Sequence, residues 1–95
     1  MGELDLVALH GSCVVFVEVR STGTEDAQRP ALSVDAAKQR RLTNLALHFL
    51  QRRQLLKHSA RFDVLAISWP ANQSEPEIVH YPNAFEAVGR FQMYQ

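Results

Sequence analysis

Gly2-Glu3-Leu4-Asp5-Leu6-Val7-Ala8-Leu9-His10-Gly11-Ser12-Cys13-Val14-Val15-Phe16-Val17-Glu18-Val19-Arg20 reads as two β-strands joined at His10-Gly11-Ser12. The second half is apolar and β-branched until Glu18 and Arg20, a composition suited to a packed, pleated surface. Gly11-Ser12 is the Gly-X pair favoured by a two-residue type II′ turn. With those two residues as the loop, His10 pairs with Cys13, Asp5 falls opposite Glu18, and Glu3 falls opposite Arg20. Side chains alternate along a strand, so Glu3, Asp5, Glu18 and Arg20 share one face. Directly opposed carboxylates, with Cβ atoms about 5 Å apart, repel each other. A hard divalent cation between them is the simplest remedy. The other reading is a solvated acidic pair on the outer face of a half-exposed sheet. Val7, Leu9, Val14 and Phe16 on that same face weigh against it, because charges entering an apolar face need a reason.

Composition sets wider bounds. Ninety-five residues make a single domain, 1–95, burying about 60–65% of the unfolded chain's surface. An apolar content of 46% is ample for a packed core and excludes a disordered segment. No apolar run approaches the ~18 residues of a membrane span, and no secretory leader pattern opens the chain. The expectation is a cytoplasmic protein with no membrane association. Cys13 is the single cysteine, which excludes an internal disulfide and a cysteine-cluster zinc site. Formal net charge is zero, yet from Ala36 to Phe62 there are seven basic residues and no acidic one. That asymmetry is the one electrostatic pointer to a polyanion, against the commoner solvated basic face.

Beyond the first hairpin, Ser21 to Leu32 reads as a polar loop with Gly23 and Pro30. Ser33 is placed to cap a helix whose first turn holds Asp35 and which runs to about Arg53. Leu42, Leu45, Ala46, Phe49 and Leu50 make its apolar stripe. Lys38, four residues before Leu42, should point to the sheet, while Arg40, Asn44 and Arg52 fall on the outer side. His48 reads as a packing or surface histidine, with no second histidine at ligand spacing. Arg61 to Ser68 is a third strand, and strand–helix–strand order makes it parallel to Cys13–Arg20. Asp63 within it reads as structural, pairing with Arg61 or a helix residue. Glu77 to Tyr81 forms a short edge strand, and Pro82-Asn83 opens a final helix from Ala84 to about Phe91.

Four blocks of this chain, Gly2–Ala8, Val15–Arg20, Lys38–Leu42 and Arg61–Val64, resemble the YraN-like family of bacterial proteins (uncharacterised protein family 0102). Its members are predicted endonucleases with the PD-(D/E)XK, restriction-endonuclease-like core. The resemblance implies an α/β fold: a mixed sheet with an N-terminal antiparallel hairpin, a helical crossover and a parallel strand. Asp5 matches the family's core aspartate and Glu18 the glutamate of its E-x-K motif. Asp5, Glu18 and the backbone carbonyl of Val19 are then expected to hold Mg²⁺ or Mn²⁺. Arg20 replaces the motif's lysine. It stays protonated, so it can bind phosphate but cannot act as a base. Lys38 is the better candidate for proton handling. Relatives begin with a further helix and strand, so this chain is expected to be N-terminally shortened and to bare an apolar sheet face. The expected function is metal-dependent hydrolysis of DNA phosphodiesters, weak or lost in this shortened form. Its alternative is a non-catalytic nucleic-acid-binding module, or a scaffold that forms a homodimer through the bared surface.

Overall fold

The computed structural model describes residues 4–22 and 34–87. Among the described residues the elements are β1 (Leu6–His10), β2 (Cys13–Thr22), α1 (Ala36–Arg52), β3 (Ala60–Ser68) and β4 (Glu77–Phe85). They form a four-stranded mixed sheet of order β1-β2-β3-β4 with one long helix, an α/β fold. The hairpin register is the one the Gly11-Ser12 loop dictates: His10 faces Cys13 and Leu6 faces Val17. Gly11 has a φ of 62° while Ser12 does not enter the positive-φ region, which matches the glycine requirement of a type II′ turn. β2 and β3 run parallel, with Glu18 opposite Val64.

At its N-terminus, α1 differs from the expected capping. Asp35, not Ser33, is the N-cap, and its carboxylate accepts the Lys38 N–H at 2.8 Å. Ser33 itself lies outside the described residues. Aspartate is among the strongest N-caps and also meets the positive end of the helix dipole there. Asp35→Ala should lower the unfolding free energy by about 1 kcal/mol, a fall of roughly 4–8 °C in Tm by calorimetry. The far end closes with a Schellman motif: Leu55 N–H donates to the Leu50 carbonyl at 2.8 Å and Gln54 N–H to Gln51 at 3.2 Å. Gln54 takes the left-handed conformation, φ 59°, that glycine usually supplies.

Helix and sheet meet over Val14, Phe16, Phe62 and Val64 from the strands and Leu42, Ala46 and Leu50 from α1. Phe16 anchors this core, with ring centroids 5.8 Å from Phe49 and 5.6 Å from Phe62. The buried stripe of α1 is turned slightly from the expected one. Thr43 and Leu47 are buried, whereas Leu45 and Phe49 are half-buried. Thr43 is tolerated there because its hydroxyl donates to the Gln39 carbonyl at 2.8 Å.

A larger correction concerns residues 82–85. They continue β4 instead of opening a helix, and the expected helix beyond Ala87 lies outside the described residues. The ladder shifts register between Phe62 and Val64, with Asn83 at φ 54°. A bulge accommodates the missing N–H of Pro82 on an edge strand, and beyond it Phe85 stacks on Phe62 at 4.9 Å. On the sheet face away from α1, Leu6 and Ile78 are largely exposed, beside half-buried Val17, Val19 and Leu65. Among the described residues no helix is long and apolar enough to cross a membrane.

Candidate active site

β2 carries its charged residues late, after the apolar run Val14–Val17, so they emerge where the N-terminal half of α1 crosses the sheet. Glu18 is 7% exposed and projects to the helix side with Phe16 and Val14. Lys38, one turn into α1, reaches it directly: Nζ lies 2.5 Å from Glu18 Oε2. Arg20, two residues on and on the same face, places NH1 3.5 Å from that oxygen. Asp5 comes from the bend before β1. Its Oδ2 accepts the Val19 backbone N–H at 2.9 Å, so the carboxylate takes the place of a backbone partner on β2.

These groups line one open cleft of about 490 Å³, with Asp5, Glu18, Val19, Arg20 and Lys38 all on its wall. The structure therefore brings together every residue singled out from the sequence as a candidate for the site. It adds Arg41, which lines the same cleft. The available signal was spacing, since Arg41 stands three residues after Lys38 and shares its side of the helix. Glu3, the fourth charged position of the hairpin face, lies outside the described residues.

The expected cross-strand pairing of Asp5 with Glu18 is not part of the ladder, which begins at Leu6 and Val17, and the positive charge beside Glu18 comes from the chain itself. A buried carboxylate is costly unless paired, and Lys38 and Arg20 provide that pairing for Glu18. The oxygens of Asp5, in the bend before β1, and of Glu18, on β2, are hard donors on the wall of one cleft, as Mg²⁺ or Mn²⁺ requires. Among the described residues no third acidic, imidazole or thiol group joins them, so a cation held here would keep most of its waters.

A second polar cluster sits on the opposite face of the sheet. Asp63, 1% exposed, accepts from Arg61 Nε at 3.0 Å and NH2 at 3.2 Å, and from the Asn83 N–H at 2.9 Å. His80 Nε2 lies 2.7 Å from Oδ2. Burial pushes this carboxyl up, but the bond from Arg61, followed by those from Asn83 and His80, outweighs it and holds Asp63 below the usual carboxylate range. The structural reading of Asp63 and its pairing with Arg61 hold. His80 and Asn83 as partners were not legible before the β4 bulge was seen.

A family model described as an uncharacterised protein family, UPF0102, matches residues 1–67. A UPF0102 protein of Rhodopirellula baltica is 45% identical over 91 residues, covering 93% of this chain and 54% of the relative. UPF0102 proteins of Geobacter metallireducens and Geobacter sulfurreducens are 41% and 44% identical over 85 residues. Each match covers 90% of this chain, and 68% and 66% of the relatives respectively. The chain thus spans between 54% and 68% of the length of these relatives. With the family model matching well over half of its residues, the chain belongs to uncharacterised protein family UPF0102.

Proposed function

We propose that this chain carries the site of a divalent-metal-dependent endonuclease acting on DNA phosphodiester bonds, built on a restriction-endonuclease-like core. One observation supports this above others: Asp5, Glu18 and Lys38, from a bend, a strand and the crossover helix, converge on one cleft. Asp5 and Glu18, with the Val19 carbonyl, are the oxygen donors for Mg²⁺ or Mn²⁺. When bound, such an ion supplies the Lewis acidity that neutralises the phosphate and acidifies the attacking water. Arg20 binds the scissile phosphate through its guanidinium fork and stabilises charge as it develops. Lys38, released from Glu18 as the cleft fills, orients the water and handles its proton. Relaxation of supercoiled plasmid tests the reading: slow nicking with Mg²⁺ or Mn²⁺ and none in EDTA supports it, and cleavage that persists in EDTA refutes it.

A second reading has its own support. Glu18 is already neutralised by Lys38 and Arg20, and Leu6, Leu9 and Ile78 are exposed at 50%, 72% and 62%. A non-catalytic nucleic-acid-binding or dimerising scaffold would show both features. That module would bind no divalent ion and, as a dimer, would sediment with a concentration-dependent mass.

A further inference from the structure

Arg41 borders two clefts at once. Besides the carboxylate cleft it lines a groove of about 540 Å³ along the outside of α1, with Ala37, Arg40, Asn44, Leu45 and His48. Positions 37, 41, 44 and 48 follow a 4-3-4 spacing, one continuous stripe of a helix with 3.6 residues per turn, and Arg40 flanks it. The groove therefore adjoins the carboxylate cleft, and Arg41 and Leu45 are shared between the two.

Among the described residues no carboxylate compensates its charge. Solvated helix faces usually intersperse Glu with Lys and Arg, giving i,i+4 pairs. Here no acidic residue occurs from Ala36 to Phe62. Among the described residues, Arg20, Lys38 and Arg61 each pair with a carboxylate, whereas neither Arg40 nor Arg41 does. Ala37 and Leu45 contribute apolar wall between the exposed guanidinium groups. A surface that alternates apolar contact with guanidinium forks matches a sugar-phosphate chain, whose sugars are weakly polar and whose phosphates take bidentate Arg. From Ala37 to His48 the helix rises about 16 Å, the axial length over which one B-DNA strand carries about five phosphates.

We infer that the outer groove of α1 is a phosphodiester-backbone track, in which Arg40, Arg41, Asn44 and His48 hold the strand that flanks the scissile phosphate. The assignment of that strand to a substrate rests on the nuclease reading above; the binding of a nucleic-acid backbone does not. Arg40 and Arg41 act as charged contacts, Asn44 donates a neutral hydrogen bond, and His48 offers a ring N–H as a further donor.

Fluorescence anisotropy with a dye-labelled 20-base-pair DNA duplex in EDTA tests the track without cleavage, titrated across salt concentration. Arg40→Ala/Arg41→Ala should weaken binding roughly tenfold and reduce the slope of log affinity against log salt by about 1.8, or 0.9 per phosphate contact. Arg40→Lys/Arg41→Lys should keep most of the slope. Lys57→Glu, an exposed position beyond the helix with the same two-unit change in net charge, should leave it within error. An RNA duplex of the same sequence identifies by its relative affinity which backbone the groove prefers. An unchanged slope in the alanine variant, an equal loss in Lys57→Glu, or no binding of either duplex overturns the track. Glu18→Gln separates the two ideas, because it should lose metal-dependent cleavage without lowering the EDTA binding slope. If the wild-type chain binds through Arg40 and Arg41 but never cleaves, the nuclease reading fails and the track stands.

Discussion

Glu18→Gln is expected to lower divalent-dependent plasmid relaxation by at least ~10²-fold, down to the level seen in EDTA. Gln keeps the shape of the side chain but removes the charge that recruits a cation. It also leaves Lys38 and Arg20 facing a neutral amide, so the cleft becomes net positive and repels a divalent ion further. Losses of this size follow from removing charge stabilisation in the transition state. Lys38→Ala should act differently. Positioned proton transfer contributes about 10²–10⁴-fold, so this variant should be slow. It also removes the ammonium 2.5 Å from Glu18 Oε2 and leaves Arg20 beside that oxygen, so it should retain the ion. Initial rates from gel-resolved relaxation, with Mn²⁺ and with EDTA, separate the two variants. Equal rates for Glu18→Gln and wild type would remove the carboxylate cleft from the chemistry.

The largest stability effect outside the apolar core should come from Asp63. Replacing it with Ala leaves the Asn83 N–H without its acceptor and Arg61 without its carboxylate, and it unpins the β4 bulge. Breaking a buried, multiply bonded carboxylate of this kind costs about 3 kcal/mol, or roughly 12–24 °C in Tm for a domain of this size. Its pH dependence has a defined sign. The folded carboxyl titrates below its ordinary value because its hydrogen bonds outweigh burial. The unfolded chain therefore takes up the proton first as pH falls from about 4. The contribution is complete above that pH and is lost as the folded value is crossed. Asp63→Asn should be less stable than wild type at neutral pH and should show a shallower loss as pH falls below about 4. Parallel acid limbs in thermal scans of the two proteins would show that Asp63 carries no such linkage.

The hairpin was legible because one local rule decides it. Gly11-Ser12 admits a two-residue turn, and the turn fixes every partner from His10–Cys13 to Leu6–Val17. The convergence of Lys38 on Glu18 was legible for a similar reason, since helix periodicity puts Lys38 on the buried side of α1. What escaped depended on pairing between distant strands. Pro82-Asn83 has the chemistry of a helix start when read locally, and only the neighbour strand β3 turns it into a bulge. The partners of Asp63 escaped with it, because His80 and Asn83 arrive through that bulge. Thr43 is absent from the apolar stripe that periodicity picks out, yet a hydroxyl that bonds back to Gln39 can be buried. The internal neutralisation of Glu18 was half legible: charge was required between the strands, yet its source in Lys38 and Arg20 needed the fold. Arg41 was overlooked because basic residues on a helix are common, and only the joining of two clefts at that residue gives it meaning.

Whether Asp5 and Glu18 hold a divalent ion decides the chemistry of the cleft. Calorimetric titration of Mn²⁺ into the chain at neutral pH measures this without relying on activity. The expected result is weak, saturable binding at one site in wild type, lost in Glu18→Gln and tightened in Lys38→Ala, where the competing ammonium is gone. An absence of binding in wild type, or a binding curve unchanged by Glu18→Gln, would contradict it.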